Sequence, residues 1–244
     1  GSEMCIRDRF VYVVPGGDAG WRVGWQHHPI GGKLNPWMGE DLWKPRKSDK
    51  TQSASVLSPL FNLKDGPSGI CYYPGTGFPD AYRGNFFITS YVGSFAKGQI
   101  YNLSVKPSGA SFVADQEQKE FIGGVQPTDV EFGPDSRLYF SDWGADGWER
   151  KDRGRIYALR ADGLNKDDLA KIEQVKTLLH TGFAATSLED LAKLLGYGDQ
   201  RVRVRAQWAL AERAEAMPVF KKVLENTSPE NRLARVHAIW GLGQ

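Results

Sequence analysis

Cysteine is almost missing from this chain. Only Cys5 and Cys71 occur among its 244 residues, which excludes a disulfide framework and a cysteine-based metal site, and no Cys-x-x-Cys-His run is present to attach a c-type haem. Charge of one sign is lacking too: the formal net charge is +2, without the basic excess that a nucleic-acid partner requires. No apolar run approaches the roughly 18 residues of a membrane span. Histidine is scarce, and the adjacent His27 and His28 have no carboxylate or cysteine at metal-ligand spacing. His180 and His237 read as surface or groove residues. Glycine and proline are sparse in one region in particular. Only Gly182, Gly196, Gly198, Gly241 and Gly243 of the 28 glycines, and only Pro218 and Pro229 of the 13 prolines, lie beyond Asn165. That shift divides the chain into a turn-rich part and a helical part.

The turn-rich part contains a repeated phrase. Val130 and Phe132 alternate as an inner strand, Pro134-Asp135-Ser136 is a turn, Leu138 to Ser141 is a second strand, and Arg155 to Leu159 a third. Arg83 to Ser90 stands where Asp135 to Asp142 stands. Gly98-Gln99-Ile100-Tyr101-Asn102-Leu103 matches Gly154-Arg155-Ile156-Tyr157-Ala158-Leu159, a spacing of 56 positions from Ile100 to Ile156. Propeller blades repeat at roughly 40 to 50 residues, so the phrase predicts two blades of a β-propeller.

Past Lys166 the apolar residues recur at helical spacing, as in Leu188, Leu191, Ala192 and Leu195, and in Val202, Ala206, Ala209 and Leu210. Arg203-Val204-Arg205-Ala206-Gln207-Trp208-Ala209-Leu210 returns 32 residues later as Arg235-Val236-His237-Ala238-Ile239-Trp240-Gly241-Leu242. A repeat of this period predicts an α-solenoid, with Trp208 and Trp240 in its core and Arg201, Arg203 and Arg205 on a solvated edge. The predicted organisation is therefore residues 1–9 as a foreign or tag-like stretch, 10–165 as an all-β partial propeller, and 166–244 as incomplete helical repeats. Two blades and part of a third cannot close a ring of four to eight blades, so the chain reads as an internal fragment of a longer protein.

Several segments carry a family resemblance: Gly16 to Arg22, Asp65 to Ile70, Tyr73 to Gly77, Tyr82 to Asn85, Lys106 to Phe112 and Pro127 to Trp143. Together they resemble the membrane-bound dehydrogenases of planctomycetes and verrucomicrobia. Those proteins join a glucose/sorbosone dehydrogenase-like propeller to HEAT-like repeats and, further on, a c-type haem domain. Arg232 to Gln244 is similar to the first of those repeats. The resemblance implies an exported, periplasmic oxidoreductase. It would oxidise a sugar or alcohol with pyrroloquinoline quinone (PQQ) and Ca²⁺, and pass electrons to a cytochrome c domain of the same protein. The alternative is a non-catalytic scaffold that binds a glycan or protein partner.

In soluble quinoprotein sugar dehydrogenases, an Arg-x-Arg-Asp-Val strand turns two guanidinium groups toward the carboxylates of the quinone, because buried carboxylates need charged partners. The matching positions here are Gln126, Thr128, Asp129 and Val130. The lysine of the preceding blade falls near Tyr91 and Val92, where no cation stands. The resemblance thus implies Gln126, Thr128, Asp129 and Tyr91 as cofactor-facing residues, and the loss of both arginines predicts weak quinone binding. Asp18, in a glycine-rich loop, is a candidate Ca²⁺ ligand, a tight turn being its structural alternative. Asp142, Asp146 and Asp152 surround Trp143 and Trp148 in a long loop that reads as a binding rim or as a solvated connection.

Overall fold

The computed structural model describes residues 9–17, 59–63, 66–149 and 152–244. Among the described residues antiparallel sheets come first, followed by five α-helices. Strands β1 (Arg9–Val11) and β2 (Pro59–Asn62) form an antiparallel pair. Arg9, which the sequence groups with the foreign stretch, opens β1 opposite Asn62. Strands β3 (Pro67–Tyr72), β4 (Asn85–Ser90), β5 (Gln99–Ser108) and β6 (Ser111–Gly123) follow as a four-stranded antiparallel meander. A third sheet has the order β7 (Pro127–Phe132), β8 (Leu138–Asp142), β9 (Arg155–Leu159). The bonds Trp143 N–H to Gln126 O, 2.8 Å, and Gly133 N–H to Arg137 O, 2.9 Å, bracket β7 and β8 as an antiparallel hairpin.

The repeated phrase of the sequence falls on equivalent strands. Arg83 to Ser90 leads into and fills β4, the second strand of its sheet, as Asp135 to Asp142 leads into and fills β8. The Gly-x-Ile-Tyr-x-Leu phrase occupies the third strand of each sheet, β5 and β9. Their surroundings differ. Ile100 is fully buried, flanked by β4 and β6, whereas Ile156, on the last strand of its sheet, is 78% exposed.

The chain divides into two units. The first comprises 1–72, 84–131 and 140–157; the second comprises 73–83, 132–139 and 158–244. The first unit is built on Ile88, Tyr101 and Leu103, against which Phe10, Phe61, Leu63, Phe86 and Val105 pack. These positions alternate along their strands, as a half-buried sheet requires.

The second unit carries α1 (Lys166–Thr181), α2 (Leu188–Leu194), α3 (Gln200–Ala211), α4 (Ala216–Glu225) and α5 (Arg232–Leu242). Local chemistry sets the helix starts: Asn165 and Asp168 form a capping box on α1, Ser187 caps α2, and Asp199 caps α3. The apolar stripes meet in one core formed by Val175, Leu179, Leu191, Leu195, Val202, Ala206, Leu210, Phe220 and Ala238. Gly241 lets α5 approach closely, since a Cβ there would stand 2.3 Å from the Phe220 ring.

Three expectations for this region are corrected. Trp208 and Trp240 are not core residues; they are 51% and 57% exposed. On α3 the buried stripe runs through Val202, Arg203, Ala206, Gln207 and Leu210, and Trp208, two residues past Ala206, is turned about 200° away from that position. Arg203 is not on a solvated edge: it is 8% exposed and donates to Tyr197 O at 2.7 Å and Gly198 O at 3.1 Å. His237 is not a surface residue either, being 4% exposed. Its Nε2 lies 3.3 Å from Arg203 Nε and its Nδ1 2.7 Å from Gln207 Oε1. Arg203 can only donate, so Nε2 accepts and Nδ1 carries the proton. Burial first, and the Arg203 charge second, lower the His237 pKa from 6.5 to about 4.

Candidate functional site

The residues implied by the family resemblance lie in the first unit, on β7 and on the segment after β4. Gln126, just before β7, is wholly buried. Its main chain is fully engaged: its N–H donates to Asp142 Oδ1 at 2.8 Å, and its carbonyl accepts from Trp143 N–H. Its side chain is not. Among the described residues neither Gln126 Nε2 nor Oε1 has a hydrogen-bond partner, and the same holds for Trp143 Nε1 and Gln99 Oε1, all of them buried atoms. Leaving such groups unpaired costs about 1 to 3 kcal/mol each, so each of these atoms calls for a water or ligand partner.

A cavity of about 500 Å³ in the same unit is walled by Ser90, Val92, Lys97, Gly98, Gln99 and Glu120 among others; Gln126 does not line it, but Gly98, a wall residue, is its neighbour. Gln126 packs directly against Gly98. A Cβ at that glycine would stand 2.0 Å from Val125 O and 3.2 Å from Gln126 Oε1, so it is the close approach of the Val125 carbonyl that requires glycine there.

The other three residues are placed differently. Thr128 Oγ1 is 2.7 Å from Ser141 Oγ, a pairing between β7 and β8. Asp129 is exposed, and its Oδ1 accepts from Val130 N–H at 2.9 Å. Tyr91 is buried and donates its hydroxyl to Gly147 O at 2.7 Å; burial raises its pKa. Tyr91 and Gln126 thus reach the same neighbourhood through Trp143, whose ring lies 6.0 Å from Tyr91 and whose main-chain N–H is bound to Gln126. Thr128 is committed to the sheet, and Asp129 faces solvent. Asp18 lies outside the described residues. Among the described residues no group of three or more His, Cys, Asp or Glu is arranged to hold a metal.

The loop after β8 forms a rim beside Tyr91. Trp148 stacks edge-on against Tyr91 with ring centroids 4.7 Å apart and is largely exposed. Asp146 Oδ1 accepts from Phe95 N–H at 2.7 Å, and Gly147 N–H donates to Gly93 O at 2.8 Å. Asp142 is buried and spent on Gln126, while Asp152 is exposed. The sequence left this loop open as a binding rim or a solvated connection and gave no sign of its contact with Tyr91, 56 positions away in the chain.

These groups do not fit an anionic quinone with three carboxylates. None of Gln126, Thr128, Asp129 and Tyr91 is cationic. Among the described residues Lys97 is the one cation in the cavity wall, and Glu120 shares that wall. Asp129 and Glu131 add negative charge to the same strand, and together with burial, the larger effect, they push the Cys71 thiol pKa upward. An amide can hydrogen-bond a carboxylate but cannot offset its charge.

No protein-family model matches the chain, and no curated protein matches it. Among solved structures it is similar to a glucose dehydrogenase, with 25% identity and a TM-score of 0.32 over 47% of this chain and 31% of that one. It is also similar to an oxidoreductase from Thermus thermophilus described as a glucose dehydrogenase, with 16% identity and a TM-score of 0.34 over 44% and 30% of the two chains. A further crystal structure of glucose dehydrogenase gives 21% identity and a TM-score of 0.33 over 49% and 33%. The chain spans about a third of the length of the structures it matches.

Proposed function

We propose that this chain is part of a glucose/sorbosone dehydrogenase-like protein in which a β-propeller leads into HEAT-like repeats, and that its Gln126 site binds a neutral, hydroxyl-rich ligand, a sugar or glycan. The propeller reading is supported by the repeated phrase on equivalent strands of two consecutive sheets. One observation carries the ligand reading: the buried Gln126 amide has a donor and an acceptor that are both unused among the described residues. A sugar hydroxyl both donates and accepts, so it satisfies such a set without bringing charge, directly or through one bridging water. The exposed Trp148 beside Tyr91 offers an apolar face against which a sugar ring can lie.

A second reading retains the quinoprotein oxidoreductase, exported and coupled to a downstream haem domain. Lys97 in the cavity wall is the feature that favours it. Isothermal titration separates the two. Neutral mono- and disaccharides should bind saturably, while PQQ with Ca²⁺ should not bind below about 100 μM. Micromolar quinone binding with no sugar binding would reverse the assignment.

A further inference from the structure

The second unit contains a groove of about 810 Å³ that the sugar site does not involve. Its floor is apolar: Phe132 and Pro134 from the β7–β8 hairpin, Leu179 from α1, and Val204 and Trp208 from α3. Trp208 is half exposed at this place. A large aromatic ring left open on an apolar floor is what an interface anchor looks like before its partner arrives.

The charges around the floor are unbalanced. Arg205 lines the groove and holds Leu179 O at 3.2 Å through Nη1, but no carboxylate lies within ion-pair distance of it among the described residues. Lys176 pairs with Glu173 at 3.2 Å, yet both side chains are more than half exposed, so that pair is weak. His180 is exposed on the same wall. Arg201 is not available, because Asp199 neutralises it at 2.8 Å. Among the described residues the one acid in the lining, Asp135, is already engaged by the Tyr139 hydroxyl at 2.8 Å and by Arg137 Nε at 3.4 Å.

We infer that this groove is a docking site for an acidic peptide segment carrying one aromatic or branched apolar anchor residue. The anchor rests on Trp208, Val204 and Leu179, and the flanking carboxylates meet Arg205 and Lys176. The net charge of +2 and the small cationic rim do not suit a nucleic acid, which requires an extended basic surface.

The test is fluorescence anisotropy with a labelled nine-residue peptide that has a central phenylalanine among aspartates and glutamates. Binding should be saturable with a Kd in the micromolar range and should weaken at least tenfold between about 50 and 300 mM salt. Trp208→Ala and Arg205→Glu should each weaken it about tenfold or more, with the far-ultraviolet circular dichroism of each variant unchanged to show that the helices are intact. A peptide with alanine for the anchor, and one with lysines for the acids, should each lose most of the affinity. Absence of saturable binding below about 1 mM would overturn the inference. So would equal affinity for the lysine peptide, or retention by Trp208→Ala. Competition by a neutral oligosaccharide at the same site would assign the groove to carbohydrate and equally overturn it.

Discussion

Asp199 offers the sharpest test of how the second unit is held together. Its carboxylate is fully buried and accepts from Arg201 N–H at 2.9 Å, Arg201 Nε at 3.0 Å and Arg201 Nη2 at 2.8 Å, and from the Thr76 hydroxyl. Arg201, with a side chain only 19% exposed, also donates to Phe132 O, Gly133 O and Ser136 Oγ. One ion pair therefore ties the loop 73–83 and the β7–β8 turn to the first turn of α3. Changing Asp199→Ala removes a helix cap, worth about 1 kcal/mol, and leaves a largely buried guanidinium without its counter-charge. Breaking a buried pair in this way costs about 3 to 5 kcal/mol, and the cap loss is contained within that range because the same carboxylate does both. Asp199→Asn keeps the cap and should lose less. The double variant Asp199→Ala/Arg201→Met removes both charges and should recover much of the loss. Urea denaturation followed by circular dichroism at 222 nm measures all three. A cost below about 1 kcal/mol for Asp199→Ala would refute the assignment of this pair as a structural tie.

Further outcomes follow from the same geometry. Gln126→Leu should leave stability unchanged or raise it, because both orphaned amide atoms disappear together, while sugar binding is lost; a loss of more than about 2 kcal/mol in urea would mean that the amide has protein partners. The folded chain holds His237 at a pKa of about 4, below its ordinary 6.5, so it binds fewer protons than the unfolded chain between those values. The His237 contribution is therefore fully present above pH 6.5 and is lost as pH falls through 4, about 3 kcal/mol in all; His237→Gln should remove that part of the pH dependence in denaturation midpoints. Trp208→Ala should cost less than about 1 kcal/mol, since half of its surface is already in water; a cost of about 3 kcal/mol, the range of a buried aromatic, would return it to the core.

The strands and helices were legible because their signals are local. Alternation at Val130 and Phe132, the turn at Pro134-Asp135-Ser136, and the spacing of Leu188, Leu191 and Leu195 all reappear in the elements observed. Burial on the helices was not legible to the same degree. The repeat pairs Ala206 with Ala238, and both are buried, but size and hydrophobicity pointed to the tryptophans, and only the phase of the buried stripe excludes them. Arg203 and His237 are buried because they satisfy each other's polar demand across 34 residues, a pairing no local window contains. The same holds for Thr76 and Asp199, which meet across 123 residues. At the site, aligning the strand before β8 singled out Gln126. That its amide would be enclosed, with Gly98 of a different strand connection against it, left no trace in the local pattern.

The side-chain amide of Gln126 is itself the most direct probe of the proposed ligand. In a ¹⁵N-labelled sample its Nε2 resonance, assigned by its absence in Gln126→Leu, should shift saturably on addition of a neutral sugar that binds by titration, and should not move with pyrroloquinoline quinone and Ca²⁺. A resonance that ignores every sugar tested but shifts with the quinone would contradict the neutral-ligand assignment.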